Sequence, residues 1–132
     1  MRNFDTESLR VITAFENITG SEVRDCIIAD IIYFLVNPGK AALAIGKNGQ
    51  TIKTAEKMIG KQIKILEFSE EGEQFIKNLI PRAQKIEINE RGAIVTINPK
   101  DRGAVIGRGG NKIKIIRFFL ERNSNIKELK IL

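Results

Sequence analysis

The feature that most constrains this chain is a short pattern that occurs twice. Ile45-Gly46-Lys47-Asn48-Gly49-Gln50-Thr51-Ile52 and Ile106-Gly107-Arg108-Gly109-Gly110-Asn111-Lys112-Ile113 both read I-G-x-x-G-x-x-I. A single G-x-x-G carries little weight in a chain with 11 glycines. Two in register carry much more, because the same offset of 61 residues maps Asn37-Pro38 onto Asn98-Pro99, Ile52-Lys53 onto Ile113-Lys114, and residues 31–36 onto 92–97. The chain therefore reads as an internal duplication. Its 132 residues divide into two domains, 1–68 and 69–132, with no linker at Phe68/Ser69. Domains this small bury a modest share of their surface, so the halves are expected to share an interface.

Periodicity supplies the elements around each pattern. Residues 6–15 carry Leu9, Ile12 and Phe15 near helical spacing after the N-cap candidates Asp5 and Thr6. Residues 22–29 and 31–36 read as strands around a turn near Asp30, and Asn37-Pro38-Gly39 ends the second. A short helix at 40–45, the glycine turn, a helix at 50–59 stopped by Gly60, and an alternating strand at 61–68 complete the first half. The second half repeats this order. A helix capped by Ser69 and closed by Pro81 precedes strands at 84–88 and 92–97, helices at 102–106 and 111–122, and a last strand at 129–132. One asymmetry stands out. Ile31, Tyr33 and Leu35 make the outer face of a first-domain strand apolar, where the second domain has Lys85, Glu87 and Thr96. The helix at 111–122 likewise carries Ile115, Phe118 and Phe119 beyond its stripe of Ile113, Ile116 and Leu120. Either a generous core or a contact with another domain or partner would account for this surplus.

Each pattern places a tight backbone turn directly before a helix. Glycine takes dihedrals closed to other residues and lets another backbone approach, while the first N–H groups of the helix lack intrahelical acceptors. That is anion-binding geometry. Charge follows it. The chain has a net charge of +6, yet residues 37–64 and 98–117 hold six basic side chains and one acid apiece, so the rest of the chain is net acidic. Concentrated positive charge around two anion-binding turns suits a polyanion.

Other chemistries are disfavoured. With no histidine and the single cysteine Cys26, no ordinary zinc site, catalytic triad or intrachain disulfide is expected, and Cys26 reads as a buried small hydrophobe. A nucleotide-binding P-loop needs G-x-x-x-x-G-K-[ST], whereas Asn48 follows Lys47; the G-x-G at Gly107 lacks the third glycine of a dinucleotide fold. No enzyme activity and no cofactor are expected. The longest apolar run, from Cys26 to Val36, is broken by Asp30, so the protein is expected to be cytoplasmic, without membrane attachment.

With these residues in view, each half resembles a KH domain, which is built around a G-x-x-G loop between two helices. The element order is similar to the type II (prokaryotic) variant, an α+β fold with a three-stranded sheet and helices packed on one face. Two abutting copies over the whole chain resemble the archaeal NusA-like transcription factors. The resemblance implies a monomer that binds single-stranded RNA and acts in transcription elongation or termination, with RNA polymerase or other transcription factors as partners. Bacterial NusA has a polymerase-binding N-terminal domain and an S1 domain without counterparts here, so polymerase contact by the bacterial route is not expected. The implied RNA-binding residues are Gly46, Lys47, Asn48, Gly49 and Lys53, then Gly107, Arg108, Gly109, Gly110, Lys112 and Lys114. Base preference is expected from an aliphatic groove beside each loop, drawn from Leu43, Ile45 and Ile52 and from Val105, Ile106 and Ile113, with Ile45 and Ile106 expected mainly to fill the core. Aromatic residues are only 6% of the chain and none lies in either loop, so stacking is not the expected mode. A ribosomal or RNA-processing accessory protein built from the same modules, and a protein-interaction scaffold, remain the alternatives.

Overall fold

Residues 4–132 are described by a computed structural model. They divide between Phe68 and Ser69 into two compact units.

In the first unit, α1 (Thr6–Thr19) starts where the Asp5 carboxylate accepts the Ser8 N–H at 2.7 Å and stops at Gly20, whose φ of 72° closes the helix in the left-handed region. It runs four residues past the end expected from periodicity. The last turn is secured by Thr19, whose hydroxyl donates to the Phe15 carbonyl at 2.8 Å. Strands β1 (Val23–Ile28) and β2 (Ile32–Val36) pair antiparallel, and β3 (Ile63–Glu67) pairs parallel to β2. Parallel pairing of consecutive strands requires a crossover. Here it consists of α2 (Ala41–Ile45), the glycine turn and α3 (Gln50–Ile59). The sheet topology thus fixes the turn on the crossover.

Helices α1, α2 and α3 pack on one face of this sheet. Ile12, Phe15, Ala44 and Ala55 meet Cys26, Ile32, Phe34, Val36 and Ile63, with the rings of Phe15 and Phe34 stacked at 4.0 Å between centroids. Alanines at the helix positions let the crossover lie close to the strands. On the other face of β2, Leu35 is fully buried and Tyr33 half-buried, as a strand apolar on both sides requires.

The second unit repeats the topology. It comprises α4 (Gly72–Leu79), the antiparallel pair β4 (Lys85–Ile88) and β5 (Ala93–Thr96), then α5 (Arg102–Ile106), α6 (Asn111–Asn123) and β6 (Leu129–Ile131), parallel to β5. One expectation fails at its start. Ser69 does not cap α4; its hydroxyl accepts the Glu71 N–H at 3.2 Å, forming a turn, and the helix begins at Gly72, where Phe75, Ile76 and Leu79 can face inward. The outer face of β4 is polar as expected, with Lys85 and Glu87 paired at 2.8 Å. That pairing raises the pKa of Lys85 above its usual value. In α6, Ile115 and Phe119 are buried along with Ile113, Ile116 and Leu120, but Phe118 stays 48% exposed beneath the Arg122 guanidinium.

The duplication is not uniform in length. α6 is three residues longer than α3 and its connection to the next strand two longer, so Leu129 occupies the sheet position of Ile63, an offset of 66 instead of 61. Among the described residues no helix is long and apolar enough to cross a membrane.

Candidate nucleic-acid interface

The two glycine turns have the same backbone course. Gly46 and Gly107 sit at φ/ψ of 75/172° and 78/170°. Asn48 and Gly109 follow at 56/25° and 62/21°, and Gly49 and Gly110 at 72/16° and 75/15°. Three positive φ values within four residues explain the glycine density, and Asn48 is tolerated because asparagine visits the left-handed region more readily than most residues.

The glycines do different things. A Cβ on Gly46 would fall onto Thr51 Oγ1 and lie 2.7 Å from Thr51 Cβ; on Gly107 it would lie 2.6 Å from Lys112 Cβ. The first glycine of each turn therefore makes room for the first turn of the chain's own helix. The Cβ direction of Gly49 meets only Ile52 Cγ2 at 3.9 Å, and those of Gly109 and Gly110 meet nothing within 4 Å. The open surface is thus at the second half of each turn.

Hydrogen bonding leaves this surface suited to anions. Within the first turn the N–H groups of Gly46, Gly49 and Gln50 donate to Ala42, Gly46 and Lys47; those of Lys47 and Asn48 are not among them. The second turn repeats the set with Gly107, Gly110 and Asn111. Helices α3 and α6 have Gly49 and Gly110 as their N-cap residues and no side-chain cap, so the positive end of each helix dipole lies beside the turn. Lys47 and Arg108 are exposed at the matching position of each turn. The one acid in each basic segment is already engaged. Glu56 accepts the Ile63 N–H at 2.8 Å, and Asp101 pairs with Arg82 at 2.6 Å.

The structure brings Gly46, Lys47, Asn48 and Gly49 together, and likewise Gly107, Arg108, Gly109 and Gly110. Lys112 lies directly behind Gly107 with an exposed side chain, and Lys114 is exposed one turn along α6. Lys53 instead borders a hollow of about 800 Å³ on the flank of α3, shared with Lys57 and Lys61. In the second unit a groove of about 280 Å³ runs between α5, α6 and β6, with Ile106 and Ile113 beside Arg102, Arg117, Lys130 and Ile131. Three aliphatic assignments change. Val105 is core at 4% exposure, as is Ala44 at the matching position; Ile45, expected inside, is 41% exposed beside Leu43 at 50%; and Ile106, also expected inside, is half-buried on the groove. Sequence reasoning passed over Lys130 because the longer α6 and its longer connection place that strand at an offset of 66, not 61, from the first copy, although the pairing register is the same.

The KH domain profile matches residues 10–70. The probable transcription termination protein NusA of Methanocaldococcus jannaschii is 33% identical over 96% of this chain and 73% of its own length. Its counterpart of the same name from Halococcus morrhuae is 31% identical over 94% of each chain. The crystal structure of APE1850 aligns with a TM-score of 0.78 and 33% identity over 98% of this chain and all of that one. The chain thus belongs to the archaeal NusA-like family of KH-domain proteins.

Proposed function

We propose that this protein binds single-stranded RNA through both glycine turns and acts as a transcription elongation or termination factor. On this reading each unit is a type II KH domain, the second as well as the profile-matched first. The observation that carries the proposal is the recurrence of one backbone course, with the same uncapped helix start and a basic side chain at the same place, 61 residues apart. A KH turn clamps about four backbone nucleotides. Here Lys47 and Arg108 supply charge, and the open faces of Gly49 and Gly110 admit the sugar-phosphate chain. Such contacts position RNA without reading it, so base preference falls to the aliphatic surface beside each turn. The relatives' name, probable transcription termination protein, supports the transcriptional setting.

The test is charge reversal at the turn tips. Lys47→Asp with Asn48→Asp, and separately Arg108→Asp with Gly109→Asp, should each weaken binding of a labelled single-stranded RNA while circular dichroism shows a native fold. Lys47, Asn48 and Arg108 are exposed and a Cβ on Gly109 would meet nothing within 4 Å, while asparagine at position 48 shows that this conformation accepts a short polar side chain. Unchanged affinity in both variants would refute the clamp.

A further inference from the structure

The two units anchor their third strand from the same helix position with opposite charge. Glu56 lies seven residues beyond Gly49, and Arg117 seven beyond Gly110. Glu56 Oε2 accepts the N–H of Ile63, the first residue of β3; Arg117 Nη2 donates to the carbonyl of Leu129, the first residue of β6, at 3.1 Å. The mechanical task is the same. The electrostatic result is not.

Around the groove of the second unit stand Arg102, Arg117 and Lys130. By repeat offset and strand register their counterparts are Ala41, Glu56 and Lys64, so three positive charges correspond to a net of none. The bond to Leu129 uses one of the five guanidinium N–H donors, leaving a fork free for a phosphate. The Glu56 carboxylate keeps an acceptor oxygen that repels phosphate.

We propose, resting on the RNA-binding reading above, that the two grooves are unequal. The second is the anchoring half, where Arg117 and Lys130 hold RNA phosphate beyond what the glycine turn holds, and Glu56 keeps phosphate out of the matching place in the first.

The experiment uses the intact chain and a fluorescein-labelled oligouridine of about nine nucleotides, long enough to engage two clamps of about four, titrated by anisotropy over a range of salt. Glutamine at position 56 can still accept from Ile63, so Glu56→Gln changes charge while keeping the strand anchored; glutamine at 117 ends two bonds short of the guanidinium nitrogens, so Arg117→Gln gives up the bond to Leu129 together with the charge and is read against Arg117→Lys, with circular dichroism checking the fold. Lys130→Gln and Lys64→Gln form a matched pair at equivalent strand positions. Arg117→Gln and Lys130→Gln should each weaken binding severalfold and flatten the log-log salt slope by about 0.7, the share of one phosphate on a single strand. Lys64→Gln should change neither, and Glu56→Gln should tighten binding. Arg117→Lys, which keeps the charge, should retain the wild-type salt slope. Equal losses from Lys64→Gln and Lys130→Gln, or weaker binding in Glu56→Gln, would overturn the inequality while leaving RNA binding intact. A wild-type chain that does not bind the oligonucleotide would overturn the RNA-binding reading and this inference with it.

Discussion

Replacing Gly46 by alanine isolates the packing role of the first glycine. At φ/ψ of 75/172° the residue lies where essentially only glycine is found, and forcing a side-chain-bearing residue there costs about 1–3 kcal/mol. The new Cβ would also overlap Thr51 Oγ1 and sit 2.9 Å from the Thr51 backbone nitrogen, which trimming Thr51 to alanine cannot relieve. Overpacking of this kind adds about 1–3 kcal/mol. The first unit should therefore lose about 2–6 kcal/mol in Gly46→Ala. Gly109→Ala is the control. Its φ is also positive, at 62°, but its Cβ meets nothing within 4 Å, so the expected loss is about 1 kcal/mol. Urea denaturation followed by circular dichroism, with amide hydrogen exchange resolved by residue to assign the loss to residues 4–68, measures both. Equal destabilisation by the two substitutions, or a Gly46→Ala chain within about 0.5 kcal/mol of wild type, would refute the argument.

RNA affinity should fall steeply with salt, because each neutralised phosphate on a single strand contributes about −0.7 to the log-log slope. It should vary little between about pH 5.5 and 7.5, since the chain has no histidine to titrate there; a midpoint near pH 6.5 would contradict this. Phe34→Ala should destabilise the first unit by about 3–5 kcal/mol, because a fully buried ring stacked on Phe15 is lost, and thermal melting of the variant checks it. An RNA of roughly nine nucleotides should bind far more tightly than a tetramer, because the second of two covalently joined clamps engages intramolecularly. Equal affinities by calorimetry would mean that only one turn works.

The parts of the fold legible in sequence were those with local causes. The glycine turns, α3 ending at Gly60, and α5 followed from residues that act on their own backbone. The start of α4 was not legible, because Ser69, Glu70 and Glu71 look like a capped first turn and only the inward face of Phe75, Ile76 and Leu79 decides otherwise. The turn residues of the candidate site could be named from the motif, but the division of labour among glycines could not. It depends on where Thr51 and Lys112 lie behind Gly46 and Gly107. The groove around Arg117 and Lys130 was hidden for a further reason. The longer α6 and its longer connection to β6 break the simple repeat beyond Arg117, so Lys130 and Lys64 become equivalent only through strand pairing.

Cys26, the single cysteine, projects into the first unit's core at 5% exposure, opposite Phe34 on the neighbouring strand. A thiol held there is shielded from reagents in solvent while the unit stays folded. The native chain is accordingly ready for site-specific labelling without first being made cysteine-free. A cysteine introduced at exposed Lys47 or Arg108 would be the reactive thiol, and a fluorophore or spin label on it would report from either turn. Cys26 in turn becomes a built-in gauge of integrity, since its modification signals that the first unit has opened.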